Sequence, residues 1–372
     1  MSNKNIGKKG KRRNQTRRIY FDNGDEYVLD SNGDEYVGKI KNGKREGEGT
    51  ITYANGNKYE GDFKNDKREG EGTITYANGN KYEGDFKNDK IEGKGYFYKG
   101  DIISYCGEFK NGLPDGTGTK FYNDHRLYYR GGFKRGLHNG EGEMAFKNGC
   151  KYQGGFKNNL RNGKGKFYYD NGDMYEGDWK NDKRKGKGIY YYNNGDRYEG
   201  DHKNDEKEGK GIYYSRDGGT YEGNYKNAKK EGKGKYYYNN GDIYEGNFKN
   251  GKREGKGVMH YNDGSRYEGN YKNDEKEGKG VEHYNNGDRY EGGFKNGKRE
   301  GKGIYYFSDG DRYEGNWKNS KRDGQGKLIY ADGTVEEQIY SNGELINHIN
   351  NQNDLGLNQA NNNQQNQIGG GQ

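Results

Sequence analysis

One segment of about 23 residues recurs thirteen times between Tyr36 and Val335. The copy from Tyr59 to Lys81 reads YEGDFKNDKREGEGTITYANGNK. A fixed period of roughly 20 to 50 residues is typical of a small structural unit stacked on copies of itself. Function in such an array lies along a surface rather than in one central pocket. The leading tyrosines are Tyr36, Tyr59, Tyr82, Tyr105, Tyr129, Tyr152, Tyr175, Tyr198, Tyr221, Tyr244, Tyr267, Tyr290 and Tyr313.

Glycines keep the same register as the tyrosines. One glycine follows each leading tyrosine by two residues, and a Gly-x-Gly occupies the twelfth and fourteenth places of each unit. The segment 44–66 is repeated residue for residue as 67–89, which indicates duplication. Hydrophobic residues make up only 26% of the chain and charged residues 33%, a composition that would otherwise indicate disorder. The strict period overrides that interpretation, because a disordered chain has no reason to hold Tyr and Gly in register.

Each unit predicts two short strands, shown by the copy that begins at Tyr59. In the first strand, 58–64, Tyr59, Gly61 and Phe63 alternate with charged residues. The second strand is predicted at 72–76, and Asn-Asp, Asn-Gly or related pairs mark the turns. The fold class is therefore all-β: a single-layer antiparallel meander of about 13 stacked β-hairpins. At about 4.8 Å per strand, thirteen units predict an elongated ribbon on the order of 125 Å long.

One face of this sheet is expected to carry aromatic rings that lie over bare glycine backbone in place of a conventional core. The fifth place of the unit is Phe, Tyr or Trp in eleven of the thirteen copies, and His202 is one exception. We interpret these rings as packing residues rather than ligand-stacking residues. The residues predicted to form the structural aromatic–glycine ladder include Tyr59, Gly61, Phe63, Gly70, Gly72, Tyr175, Gly177, Trp179, Tyr198, Gly200, Tyr313, Gly315 and Trp317.

Three regions are predicted along the chain. Residues 1–18 form a basic disordered arm, 19–349 the repeat array with degenerate ends, and 350–372 a disordered tail rich in Asn, Gln and Gly. Within the array, 96–138 is irregular, because two successive units lose the turn glycine and one residue is gained. Leu113, Pro114 and Asp115 in this stretch mark a kink or docking point, or else drift in a tolerant loop.

The net charge of +8 is concentrated in the arm. Its eight basic residues, unaccompanied by acids, leave the rest of the chain formally neutral, with 58 bases against 58 acids. Three interpretations stay open: a solvated tail, a tether to an anionic membrane, and a nucleic-acid or nuclear-import arm. Nucleic acid is the less favoured partner. The residues assigned to contact with anionic lipid are Lys8, Lys9, Lys11, Arg12, Arg13, Arg17 and Arg18.

Cys106 and Cys150 are the two cysteines, and a bridge between them would require distortion. No apolar signal segment or membrane-spanning run is recognised. We therefore expect an intracellular, cytoplasmic protein with reduced thiols.

The Tyr-Glu-Gly-x-aromatic-Lys opening, followed by Gly-x-Gly and a turn glycine, resembles the membrane occupation and recognition nexus (MORN) repeat over roughly residues 23–340. The resemblance implies a rod or half-pipe of β-hairpins. It implies scaffolding, dimerisation, placement at membranes or cytoskeletal and ciliary assemblies, and in some members phosphoinositide or phosphatidic acid binding. The family often has glycine at the eighth place. Gly43 fits this pattern, whereas Asp66 departs from it but still tolerates a left-handed turn.

Three segments partly match catalytic or metal-binding motifs, but each lacks a required residue or spacing. The segment 246–253 has Arg where a phosphate-binding loop needs Ser or Thr, and the oxygens that begin at Asp30 lack the glycine and glutamate of a calcium loop. His260 and His283 lie one unit apart, too far to share a zinc ion. We predict no cofactor, no metal site and no enzyme activity.

The first function hypothesis is a scaffold that recruits or spaces protein partners. The alternative is a peripheral module that binds phosphoinositides or other anionic lipids through the arm and the lysine-rich hairpin turns. A more distant alternative is an accessory subunit of a lipid kinase or other enzyme. Protein partners are expected, together with a homodimer formed through the ribbon.

Overall fold

The computed structural model describes residues 16–349, and every regular element in that range is a β-strand. The chain divides into two compact units, one ending at Arg216 and one beginning at Asp217. The strands of the first unit are β1 (Arg17–Tyr20), β2 (Glu26–Leu29), β3 (Glu35–Lys41), β4 (Lys44–Thr52), β5 (Lys58–Lys64), β6 (Lys67–Thr75), β7 (Lys81–Lys87), β8 (Lys90–Lys99), β9 (Ile102–Lys110), β10 (Leu113–Phe121), β11 (Leu127–Lys134), β12 (Leu137–Ala145), β13 (Lys151–Lys157), β14 (Leu160–Tyr168), β15 (Met174–Lys180), β16 (Lys183–Tyr191), β17 (Arg197–Lys203) and β18 (Glu206–Tyr214).

The second unit is built in the same way. Its strands are β19 (Thr220–Lys226), β20 (Lys229–Tyr237), β21 (Ile243–Lys249), β22 (Lys252–His260), β23 (Arg266–Lys272), β24 (Glu275–His283), β25 (Arg289–Lys295), β26 (Lys298–Tyr306), β27 (Arg312–Lys318), β28 (Lys321–Ile329), β29 (Val335–Ser341) and β30 (Glu344–Ile349). Within each unit every strand pairs antiparallel with the next along the chain. The predicted all-β meander of stacked hairpins is confirmed.

Two kinds of turn alternate along the chain. Asn65 and Asp66 join β5 to β6 with φ of 49° and 70°, the two positive values that a type I′ hairpin turn requires. The connection from β6 to β7 is longer and is closed by backbone hydrogen bonds between Tyr76 and Asn80 and from Gly79 to Tyr76, each 2.9 Å long. Gly79 has a φ of +84°, which explains the turn glycine of the repeat.

The second strand of each repeat is longer than predicted. In β6 it runs from Lys67 to Thr75 instead of 72–76, and Tyr76 lies beyond its end. A bulge causes the difference: Gly61 pairs with Gly72 and Phe63 pairs with Arg68, so β6 has extra residues opposite β5. These residues still pair with the next strand, β7. The bulge therefore extends the strand and resets which side chains face the rings.

The irregular stretch 96–138 continues the meander without an unpaired strand. β8 and β9 are joined by the two-residue turn Gly100–Asp101 instead of the longer loop, and this shortening accounts for the missing turn glycine. In the next unit His125 occupies the turn-glycine position with a φ of +65°. At the start of the array, β1 begins at Arg17, two residues inside the segment assigned to the arm.

Candidate interaction surface

The interior of each repeat is a tyrosine lying over two glycines. In the first unit a β-carbon on Gly61 would lie 2.6 Å from the Tyr59 hydroxyl oxygen, and one on Gly72 would lie 2.5 Å from it. No side chain fits between the ring and the backbone at these positions. The hydroxyl donates a hydrogen bond of 3.0 Å to the carbonyl oxygen of Asp62, and the Tyr59 side chain is fully buried. A single-layer sheet thereby obtains a dry interior from residues of one repeat.

Aromatic rings of neighbouring repeats connect these tyrosines. Phe63 contacts Tyr59 in its own repeat at 5.2 Å between centroids and Tyr36 of the previous repeat at 5.4 Å, both edge to face. Such geometry is favoured by the ring quadrupole and adds about 0.5 to 1.5 kcal/mol per pair beyond burial. The same zigzag includes Tyr175 with Trp179, and in the second unit Tyr313 with Trp317. The fifth-place rings therefore link one repeat to the next.

His202 takes a fifth place without breaking the zigzag. Its ring lies 5.0 Å from Tyr175 and 5.2 Å from Tyr198, both edge to face, and it is buried. Burial lowers the pKa of His202 to about 4, with the positive charge of Arg184 acting in the same direction. A neutral imidazole therefore substitutes for a phenyl ring.

A row of cations over the rings was not predicted from the sequence. The tenth residue of the repeat, counted from the leading tyrosine, turns inward after the bulge and places its charge above the aromatic zigzag. Arg161 is an example in the first unit, with its guanidinium carbon 4.2 Å from the Trp179 ring centroid and 5.8 Å from that of Tyr152. Cation–π contacts of this kind contribute about 0.5 to 2 kcal/mol. Three successive repeats, with Ile91, Pro114 and His138 at this place, interrupt the row.

The arginines of this row also clamp the next repeat. Arg161 donates from its backbone N–H to the Asp182 carboxylate at 2.8 Å, and its Nη2 donates to the Asp182 carbonyl oxygen at 2.8 Å. Asp182 is the eighth residue of the following unit and has a φ of 65°. The family's usual glycine is thus replaced by a residue that keeps the turn and whose carboxylate accepts two inter-repeat hydrogen bonds, from the Arg161 backbone N–H and from its Nε at 3.1 Å.

The chain itself contains the signal for this clamp. Arg45, Arg68, Arg161, Arg184 and Arg253 each have Asp 21 residues later, and each pair is in contact. Ile91, Pro114, Lys230 and Lys276 instead precede a glycine at the eighth place of the next unit. Arg322, which precedes Gly343, is an exception and donates to the Tyr340 hydroxyl. The pairing of residue types across neighbouring repeats predicts the contact.

The rim of the sheet at the type I′ turns is cationic. Lysine occupies the sixth place of all thirteen repeats, and the ninth place is lysine in eight of them, two examples being Lys64 and its cross-strand neighbour Lys67. Both are exposed. Within residues 16–349, lysine ion pairs are formed by residues at other places of the repeat. Acids at the eighth and eleventh places accept hydrogen bonds, as Asp66 does from the backbone of Arg45 and Glu46 from the backbone of Asn65. The ninth place is glutamate in two repeats, at Glu206 and Glu275.

Three consecutive repeats replace the ninth-place lysine by leucine. Leu113 is 49% exposed, and Leu137 and Leu160 are each 39% exposed. Pro114, beside Leu113, is half-buried, and its carbonyl oxygen accepts a 2.7 Å hydrogen bond from Gly136 of the next turn. The Asp115 carboxylate accepts from the backbone of Arg135 at 3.0 Å. The proline and the acid in β10 therefore hold the next turn, while the leucines are the exposed groups.

A family model described as MORN repeat matches the chain thirteen times in succession. The matched residues are 36–58, 59–81, 82–101, 105–125, 129–151, 152–174, 175–197, 198–220, 221–243, 244–266, 267–289, 290–312 and 313–335. This chain belongs to the MORN-repeat family. The predicted family is confirmed, and the two shortened matches fall in the irregular stretch of the MORN array.

Solved structures similar to this MORN-repeat protein have low identity to it. The TCP10 domain of Danio rerio CPAP in complex with a peptide of Danio rerio STIL is 15% identical, covering 62% of this chain and 97% of that chain, with a TM-score of 0.37. The SAS-4 TCP domain of Drosophila melanogaster, in complex with a proline-rich motif of Ana2, is 17% identical, covering 41% and 83%, with a TM-score of 0.28. No curated protein matches the chain. Superpositions this poor say nothing about a shared partner.

The shifted pKa values of the MORN array arise from its packed interior. Burial raises the pKa of Tyr36 to about 12 against the opposing charge of Arg45, and it raises the pKa of Tyr59 as well. Burial lowers the pKa of Lys230, in the cation row, to about 8. Shifts of this size often mark functional sites, but here the tyrosine shift recurs from repeat to repeat. Core packing therefore explains it without a catalytic role.

The residues assigned to anionic lipid are only partly within the described range. Lys8, Lys9, Lys11, Arg12 and Arg13 lie outside residues 16–349. Arg17 and Arg18 lie in the exposed strand β1, and Arg18 pairs with Glu26 at 3.3 Å. Their assignment stays a prediction.

The remaining features are the two cysteines, possible metal ligands and possible membrane spans. Cys106 is partly exposed, Cys150 is buried, and both thiols are free. In the described part of the chain no three His, Cys, Asp or Glu side chains come together as metal ligands would, and no helix there could cross a membrane.

Proposed function

We propose that this MORN-repeat protein is a non-enzymatic scaffold that recruits or spaces protein partners. The observation that carries the proposal is the contrast between interior and rim. The interior rings, glycines and cations contact one another. Along the rim, by contrast, exposed side chains recur at a strand spacing of about 4.8 Å. A regular row of this kind suits multivalent binding along a surface. Family membership favours a site of action near membranes or at cytoskeletal and ciliary structures.

Proximity labelling with the full chain in its native cell tests the scaffold proposal. We expect a reproducible set of labelled proteins that differs from the set labelled by the free labelling enzyme. Replacing rim lysines such as Lys64 and Lys67 with glutamine should reduce part of that set, because exposed charge at the rim contributes to encounter. Identical sets for the fusion and the free enzyme would contradict the proposal.

A second candidate is a peripheral module that binds anionic lipid. The lysine rim favours it, because each Lys or Arg near an anionic leaflet adds about 1 kcal/mol. Sedimentation with phosphatidylinositol bisphosphate vesicles should compare the full chain, a chain with the basic residues of 4–13 changed to glutamine, and a chain with rim lysines changed to glutamine. Deleting residues 1–18 would be a poor test, since β1 begins at Arg17. Equal sedimentation of all three at moderate salt would contradict a lysine-based contact.

A further inference from the structure

Three exposed leucines form one row with three lysines on the first unit. Leu113 pairs across its hairpin with Lys110, Leu137 with Lys134, and Leu160 with Lys157. Cross-strand partners project from the same face of a sheet, so the row reads Lys, Leu, Lys, Leu, Lys, Leu with one residue per strand. We call these six residues the leucine strip. In the direction across the strands, adjacent members are about 4.8 Å apart and successive leucines about 9.6 Å apart. From one hairpin to the next the members are diagonal neighbours, because Gly116 pairs with Phe133 and Lys134 therefore lies opposite Asp115.

Positive charge predominates around the leucine strip, and the acids beside it, Glu92 and Asp115, each accept a hydrogen bond from the backbone of a turn. Lys110, Lys134 and Lys157 are all exposed, and Arg135 lies in the middle turn. The eleventh place, acidic in most repeats, is Asn139 and Asn162 in two of these three. The one acid at this place, Asp115, accepts a hydrogen bond from the backbone of Arg135. A ligand for the strip therefore needs apolar groups at the leucines and negative charge at the lysines.

We infer that the leucine strip is a docking site for an amphipathic α-helix of a partner protein, with apolar and acidic residues alternating along one stripe. This inference rests on the proposed scaffold function and locates it on the array. On a helix, residues seven apart lie on one face and are about 10.5 Å apart, close to the leucine spacing. Acids three or four residues after each apolar position lie about 4.5 to 6 Å along the axis, opposite the lysines.

Other occupants match the row less well. A polyproline helix repeats its face every three residues, about 9.3 Å, but has no residue halfway between on that face to meet the lysines. An extended strand turns alternate side chains to opposite faces and reaches the leucine spacing only after about three residues. A lipid surface imposes no spacing at all, so it does not account for strict alternation with lysine.

The probe is a fluorescent 22-residue peptide with leucine at positions 1, 8 and 15, glutamate at positions 4, 11 and 18, and alanine or glutamine elsewhere. Anisotropy should show binding to the full chain. The triple variant Leu113→Lys, Leu137→Lys, Leu160→Lys should bind about tenfold more weakly or worse, since three apolar contacts are lost. Eight other repeats already hold lysine at this place, so the variant should keep the far-UV spectrum of the fold.

Two further arms make the test specific. The peptide with lysine in place of its glutamates should not bind. The variant Lys252→Leu, Glu275→Leu, Lys298→Leu installs the same pattern in the second unit, beside Lys249, Lys272 and Lys295, and should gain a second binding site. Absence of peptide binding, or equal binding to the triple lysine variant, would overturn the inference.

Two outcomes separate the alternatives. Binding of anionic vesicles but not of peptide, lost in the triple lysine variant, would assign the strip to a membrane and overturn the helix inference. In proximity labelling, the triple lysine variant could retain the full partner set. That result would refute the leucine strip as a docking site and leave the scaffold function in place. If the unmodified chain also labels no specific partner, both the scaffold function and the docking site are refuted.

Discussion

A β-carbon added to Gly200 would lie 2.6 Å from the Tyr198 hydroxyl oxygen. It would also lie 2.5 Å from the backbone of Gly211 on the next strand, so neither the ring nor the sheet leaves room for it. The ring over bare backbone thus depends on glycine for steric reasons, and the same relationship recurs at Gly315 under Tyr313.

Gly200→Ala should therefore lower local stability by about 1 to 3 kcal/mol, as overpacking does in other cores. Hydrogen exchange should show loss of protection in β16 to β18 and none in β3 to β6, because stacked repeats depend mainly on their neighbours. Glu199→Gln, on the exposed face, is the matched control and should change little. Uniform loss across the first unit, or none, would argue against the ring-and-glycine interior.

Arg161→Gln should destabilise its repeat by about 1 to 3 kcal/mol, because it removes both the contact with Trp179 and the hydrogen bond to the Asp182 carbonyl oxygen. Arg161→Lys should lose less, since lysine holds this place over the rings at Lys230. Trp179 fluorescence during urea unfolding, in a Trp317→Phe background, reports the effect locally. If the glutamine and lysine variants unfold like the parent, the cation row has no energetic role.

The alternation of aromatic or glycine residues with charged residues in 58–64 predicted β5 residue for residue, and the glycine positions predicted where the rings would lie. The sequence pattern did not predict that the Arg68 side chain faces the rings. A strict alternation of inward and outward residues, extended from Gly72, ignores the bulge around Gly70, which has a φ of +68°. The bulge gives β6 extra residues opposite β5 and so changes which side chains face the rings. Hydrophobicity patterns also assign arginine to the surface, because they count its charge and not the apolar part of its side chain. The recurring Arg and Asp 21 residues apart would have indicated the clamp.

The clamp can be installed where the chain lacks it. Lys230 and Gly251 occupy the two clamp positions, and a β-carbon on Gly251 would meet no atom within 4 Å. Gly251 has a φ of +89°, near the values that Asp adopts in the other turns. In the five natural pairs the arginine Nε lies 3.1 to 3.6 Å from the Asp carboxylate, a contact that needs both side chains. We therefore expect Lys230→Arg and Gly251→Asp together to stabilise the second unit more than the sum of the single changes, with a coupling of about 0.5 to 1.5 kcal/mol. A double-mutant cycle in urea measures it, and strictly additive effects would refute the clamp.

Acid should destabilise the array through His138. This imidazole is 3% exposed and stacks on Tyr129 at 3.8 Å between ring centroids. Neither of its ring nitrogens has a hydrogen-bond partner within residues 16–349. Burial, and next the charge of Lys120, lowers the pKa of His138 to about 4, whereas the unfolded chain titrates near 6.5. The folded state therefore stays neutral while the unfolded state takes up a proton.

Stability should consequently fall as pH drops from about 6.5 to 4, by up to roughly 3 kcal/mol for this group. His138→Arg places the residue of other repeats at the same position and carries a charge that does not titrate in this range. Urea midpoints from pH 7.5 to 4.5 should therefore fall less steeply for the variant than for the parent chain. His202 titrates in both proteins and cancels from the comparison. Parallel pH profiles would show that His138 is not held neutral in the folded array.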